Sequence, residues 1–252
     1  MARAQNFQIL QGSLEPVDIL AIGPHPDDIE IGAGGSLLLW SRSGYRIGLV
    51  DLTRGELGTK GDGETRIKES IEAAIRLEAT FRANLCLPDG GVSDSPENRL
   101  MLVEVLRGAC PDWVLCNLEE ARHPDHREGA RLVQSAFFLS RLARYCTEIP
   151  PHSPGKLLYY LIHEQVPPTF LVDISPVFED KFQMMGAYES QFHNPLLPEG
   201  YRHTGLSDYL RNVRSLGESW GAQGGVAAAE AFIAASPVVV TDISQWVGRD
   251  HK

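Results

Sequence analysis

The sequence predicts a single α/β domain, residues 1–252, built on a mostly parallel β-sheet with helices on both faces. Three observations carry this. Short apolar runs of strand length alternate with helical stretches from Val17 to Tyr145, the order that right-handed βαβ units produce. The runs are mostly apolar, as strands buried on both faces are. With 252 residues, 43% of them hydrophobic, the chain is long enough to bury one sizeable core.

The elements follow in order. "VDILAIG" (17–23) reads as a buried strand ending in glycine, and 32–44 as a helix holding Leu37, Leu38, Leu39 and Trp40 and stopped by Gly44. "RIGLVDLT" (46–53) is a second strand, followed by the polar, glycine-rich loop "RGELGTKGDGE". Residues 65–79 form an amphipathic helix, with Ile67, Ile71, Ala74, Ile75 and Leu77 roughly on one side. "FRANLCLPDGG" gives a strand and a turn, 96–108 a helix, and "DWVLCNL" (112–118) a strand. The next helix opens at "HPDH" with Pro124 in its first turn. Prolines between 149 and 168 frame "KLLYYLI" as a strand; "TFLVDIS" is another. One helix then runs through "PVFEDKFQMMGAYESQF" and another over 207–219. A Gly/Ala-rich segment leads to "PVVVTDI", a last strand, and this C-terminal third completes the pocket. The whole reads as a Rossmann-like architecture.

Composition narrows the function. A formal net charge of −10 disfavours a broad surface for nucleic acid or anionic membrane. No run approaches the ~20 apolar residues of a membrane span, and the first residues lack the apolar core of a secretory signal. The four cysteines, Cys86, Cys110, Cys116 and Cys146, have neither zinc-ribbon nor disulfide-framework spacing. They read as mostly buried, reduced thiols of a cytoplasmic protein.

Two segments carry the chemistry: "GPHPDDIEIGAGG" (23–35) and "RHPDH" (122–126). Each follows a predicted strand, and in open α/β sheets ligands bind at the carboxyl ends of strands. His25 and Asp28 can turn to one point as metal ligands, although Asp27 or Asp28 fits a helix cap equally well when the segment is read alone. The second cluster, offering His123, Asp125 and His126, tips the balance to metal. Three ligands with one position left for water describe a catalytic site. Asp27, beside Asp28, is then the natural base, and His123 a donor for a developing oxyanion. The glycines of "GAGG" read as positions of close helix–sheet packing, because a diphosphate there would meet Asp27, Asp28 and Glu30. Met184 and Met185 read as core; His152, His163 and His203 as surface or pocket-rim residues. Tyr188, Glu189, Ser190, Gln191 and His193 fit a pocket wall or a helix end.

"PHPDDIEIGAGG" with "RHPDH" resembles the LmbE/PIG-L-like zinc-dependent N-deacetylases, with Pro24 where that motif usually has Ala. "GYRIGLVDLTRGELGTKGDGETRIKESIEAA", "NLCLPDGG", "AYESQF" and "EGY" are similar to the bacillithiol-biosynthesis branch, whose substrate is N-acetylglucosaminyl malate. The resemblance implies an LmbE-like fold and a Zn²⁺ cofactor, with Fe²⁺ a candidate in the cell. It implies His25, Asp28 and His126 as metal ligands, Asp27 as general base, and His123 stabilising the oxyanion. Arg66 falls where the family binds substrate. Asp125 is the partner that orients an imidazole, and Glu30 either a second such acceptor or a first-turn helix residue. It further implies a small GlcNAc-type substrate and a homo-oligomer, a hexamer among the arrangements. The alternatives are a chitooligosaccharide-type N-deacetylase, a thiol-conjugate amidase and, more remotely, a non-catalytic nucleotide- or sugar-binding module.

Overall fold

The structure, a computed structural model, describes residues 7–145, 148–192 and 209–239. Eight strands form one sheet: β1 (Gln8–Gly12), β2 (Ile19–Gly23), β3 (Ile47–Thr53), β4 (Phe81–Leu87), β5 (Trp113–Asn117), β6 (Lys156–Tyr160), β7 (Phe170–Asp173) and β8 (Ala229–Ala234). Their order across the sheet is β1-β4-β3-β2-β5-β6-β8-β7. The five central strands, β4 to β6, are parallel. β1 joins one edge antiparallel, and β8 and β7 extend the other through two antiparallel pairings.

The helices are α1 (Asp28–Arg42), α2 (Gly63–Leu77), α3 (Pro96–Ala109), α4 (Pro124–Leu139), α5 (Phe178–Met185), α6 (Glu189–Phe192) and α7 (Tyr209–Gly224). The strands are buried on both sides, so successive residues feed two cores. Ile19, Ala21, Ile47 and Leu49 pack with α1, α2 and α5. Leu20, Ile22, Val50 and Leu52 pack with α3 and α4. Met184 and Met185 lie in the first of these cores. None of the described helices is long and apolar enough to cross a membrane.

Four sequence expectations are corrected here. α1 begins at Asp28, four residues before the expected start, so the "GAGG" glycines, expected at its first residues, lie one turn further in. Packing outweighs their low helix propensity: a Cβ on Gly32 would run into the Tyr160 ring, and one on Gly35 would meet Ile174 at 2.9 Å. The single helix expected from Pro176 is a 3₁₀ turn (Ser175–Val177), then α5, then α6 after a turn at Gly186. The Gly/Ala-rich segment holds strand β8, whereas residues 237–239 form no strand. Cys86 and Cys110 are exposed, each at a positive φ (54° and 43°), while Cys116 is buried. Cys146, His193, His203, "EGY" and the end of "PVVVTDI" lie outside the described residues.

Candidate active site

Connections from the carboxyl end of β2 run one way to β3 and those of its neighbour β5 the other way to β6. This reversal is where open α/β sheets form their ligand crevice. His25, Asp27 and Asp28 follow β2, and His123, Asp125 and His126 follow β5, so both motifs meet there.

Asp28 Oδ2 lies 3.1 Å from His25 Nδ1 and 3.1 Å from His126 Nε2, and it accepts the His25 backbone N–H at 2.9 Å. The other nitrogen of His25, Nε2, faces Asp89 Oδ1 at 3.1 Å and Asp125 Oδ2 at 3.3 Å. Acceptors thus face both ring nitrogens, Asp89 and Asp125 at Nε2 and Asp28 at Nδ1, and a proton held on Nε2 by the first two would leave the Nδ1 lone pair for an ion. Asp28 Oδ2 meets two imidazole nitrogens at one point, and positive charge there, from ring protons or a bound ion, satisfies all three groups. Two imidazoles and a carboxylate are an ordinary donor set for Zn²⁺ or Fe²⁺, and the residues fit such an ion. Protons compete with an ion for these same atoms. Burial opposes charge on His25, but Asp125, Asp28 and Asp89 outweigh it and hold the ring well above the usual imidazole value. Burial also works against Asp28, and His126 and His25 reverse it, holding that carboxyl well below the usual range.

His123 also joins the cluster: ligating atoms of His25, His123 and His126 lie within 4.8 Å of one another. It is the N-cap of α4, its Nδ1 accepting the Asp125 N–H at 3.2 Å. The proton therefore belongs on Nε2, available as a donor. Burial, then the neighbouring imidazoles, lower its pKa and favour the neutral ring.

Asp27 occupies the N-cap position of α1 at φ 110°, and its side chain makes no capping hydrogen bond. A non-glycine residue in this conformation is strained, and such strain clusters at functional sites. Burial pushes its carboxyl up to about 7; Arg66 opposes this and Asp28 adds to it. Asp27 lines two cavities. One, of about 220 Å³, is walled by His25, His123, Arg66, Asp89 and Leu57 among others. The other, of about 180 Å³, is walled by Asp28, Ile31, Lys60, Gln191, Phe192 and Tyr209 among others.

The remaining expected residues sort as follows. Asp125 is buried and accepts from Gly90 N at 2.7 Å and Val92 N at 3.2 Å, so it fixes the turn after β4 while facing His25. Arg66 reaches the site but is largely engaged by protein: Nη2 contacts Asp27 Oδ2 at 3.2 Å and donates to Pro26 O at 2.5 Å, and Nη1 donates to Gly55 O at 3.3 Å. Its Nε has no partner among the described residues. Glu30 is a first-turn helix residue, not a partner of a site imidazole. Its Oε1 accepts from Arg82 at 2.5 Å and from Tyr188 OH at 2.9 Å, because the fully buried Arg82 draws it into the core. Of the residues left open between pocket wall and helix end, Gln191 lines a cavity and Tyr188 is core. His163 sits on a cavity rim with Nε2 3.2 Å from Tyr209 OH, and His152 contacts Pro111 O. Asp89 was not expected. Besides facing His25, it accepts the Leu57 N–H at 2.8 Å, tying the loop after β3 to the site.

The family described as PIG-L: GlcNAc-PI de-N-acetylase matches residues 20–137, which contain both histidine–aspartate clusters. The chain is 31% identical over 203 residues to a diacetylchitobiose deacetylase of Thermococcus kodakarensis, covering 74% of each. The crystal structure of a conserved protein from Thermus thermophilus is similar at a TM-score of 0.81 and 38% identity, over 89% of this chain and 97% of that one. The N,N'-diacetylchitobiose deacetylase of Pyrococcus horikoshii, solved with an inhibitor, is similar at a TM-score of 0.74 and 28% identity, over 86% of this chain and 82% of that one. With this fold, these two clusters at the sheet's switch point and these relatives, the chain belongs to the PIG-L N-deacetylase family and is a hydrolase of amide bonds.

Proposed function

We propose that the chain is a zinc-dependent hydrolase removing the N-acetyl group of an N-acetylglucosamine-containing small molecule, N-acetylglucosaminyl malate being the substrate. The observation that carries the metal-dependent hydrolysis is the single Asp28 oxygen shared by His25 Nδ1 and His126 Nε2, with Asp27 and His123 on the same cavity. His25, Asp28 and His126 hold the ion. A divalent ion held there would polarise an amide carbonyl and lower the pKa of a water toward ~7. Asp27 accepts the water's proton; its freedom from helix capping leaves Oδ1 for that task, while Arg66 fixes its orientation through Oδ2. His123 donates its Nε2 proton toward the carbonyl oxygen as negative charge develops there. The water's oxygen bonds to the acetyl carbon as it loses its proton to Asp27; the C–N bond then breaks, the amine taking the proton from Asp27 and the acetyl group leaving as acetic acid with the water's oxygen.

The malate glycoside is favoured by the segments lining the cavity. Leu57, Gly58, Asp89 and Gly90 belong to "TRGELGTKGDG" and "NLCLPDGG", the stretches similar to the bacillithiol branch. Arg122, exposed and adjacent to His123, offers a cation to an acidic aglycone. The second reading, a chitooligosaccharide-type deacetylase, is favoured by the 31% identity to a diacetylchitobiose deacetylase. A panel of the malate glycoside, N-acetylglucosamine, diacetylchitobiose and a thiol-conjugate amide, assayed with zinc-loaded and Fe²⁺-loaded enzyme, separates them. We expect the highest kcat/KM on the malate glycoside. Preference for diacetylchitobiose would select the second reading, and turnover of only the thiol conjugate would exclude both.

A further inference from the structure

A fully buried ionic cluster lies beneath the first turn of α1, and the hydrolytic steps above leave it without a part. Arg82, on β4, donates Nε and Nη2 to the two oxygens of Asp51 on β3 at 2.8 and 2.6 Å. Its Nη1 donates to Glu30 Oε1 at 2.5 Å, and Tyr188 OH donates to the same oxygen at 2.9 Å. All four side chains are buried completely. Stability alone is a poor reason for such a cluster, since apolar side chains of similar volume are often as stable.

Its position gives it another role. Glu30 is the third residue of α1, two after Asp28 and three after the strained Asp27. A backbone held in a sparsely populated conformation persists only where its surroundings over-determine it. The Glu30 carboxylate is pinned from β4 by Arg82 and from the α5–α6 corner by Tyr188. That corner leads into Gln191 and Phe192, which wall the cavity beside Asp27 and Asp28. The cluster thus ties two sheet strands, the start of α1 and the cavity wall to one point.

We propose that Glu30, Arg82, Asp51 and Tyr188 are positioning residues of the hydrolytic centre, fixing the rotation of the first turn of α1 and so the directions of Asp27 and Asp28. This rests on the reading of Asp28 as a metal ligand and Asp27 as the base. Tyr188→Phe removes one hydrogen bond and keeps the ring; Glu30→Gln keeps the shape and removes the charge. In each folded variant, kcat on the best substrate falls by about tenfold while KM changes by less than about twofold. Zinc loss to a chelator, followed without substrate, speeds up by about tenfold or more. Variants that match an active parent within about twofold in both kcat and zinc loss, whatever their melting temperature, would overturn the positioning role. A parent that neither takes up zinc nor deacetylates would instead overturn the reading on which the role rests.

Discussion

Gly32→Ala tests why α1 can start where it does. In a solvent-exposed helix this change would stabilise by about 1 kcal/mol, since alanine is the better helix former. Here the new Cβ would run into the ring of Tyr160, a side chain on β6 that is wholly buried and whose hydroxyl donates to Ile22 O at 2.9 Å. The ring has no room to retreat, so overpacking of about 1–3 kcal/mol applies. Displacing the hydroxyl from its acceptor removes about 1 kcal/mol more. With the propensity gain set against these, the net destabilisation is about 1–3 kcal/mol. Urea unfolding reads this directly, and a thermal melt reads it as about 2–4 °C per kcal/mol in a domain of this size. Combined with Tyr160→Leu, which removes the ring the Cβ meets, the two losses should sum to less than their separate values. A Gly32→Ala protein at least as stable as the parent would refute the argument that close packing, not conformational freedom, places the glycines of this helix.

Glu230→Ala should destabilise by about 3–5 kcal/mol in urea unfolding, because it strands the buried Lys181 ammonium 2.6 Å away and removes the acceptor of the Gly35 and Ser36 N–H groups; a loss under about 1 kcal/mol would show that water enters and solvates the lysine. Asp27→Ala should bind zinc at the parent stoichiometry yet lose at least about a hundredfold in kcat, measured as acetate release; near-parental turnover would remove Asp27 from the role of base.

Much of this was legible in the sequence because it rests on local signals. Apolar runs located β2 to β7 to within a few residues, and "HPDD" and "HPDH" sat where strand ends gather. What was hidden depends on contacts distant in sequence. The α1 glycines read as positions of close packing, but the side chains that meet them, Tyr160 and Ile174, lie too far along the chain to be named from the motif. β8 is rich in alanine, and Glu230 within it reads as a surface charge until it meets Lys181 and the α1 backbone. Arg82 and Asp51 did leave a signal, two opposite charges inside otherwise apolar strands, and a charge within a buried strand demands a partner. Asp89 left less: it lies in the turn after β4, on the same sheet edge as both motifs, with no ligand-like spacing of its own. Glu30 illustrates the converse, a residue inside the chemical motif whose partner lies in the core.

Zinc titration of the metal-free chain, with acetate release from the N-acetylglucosaminyl substrate followed in the same samples, tests the joint role of His25, Asp28 and His126 most directly. Activity should rise linearly and level off at one zinc per chain, and His126→Ala should abolish both the uptake and the turnover. Full turnover by the metal-free chain, or zinc uptake that leaves acetate release unchanged, would contradict a metal-dependent hydrolytic centre at this site.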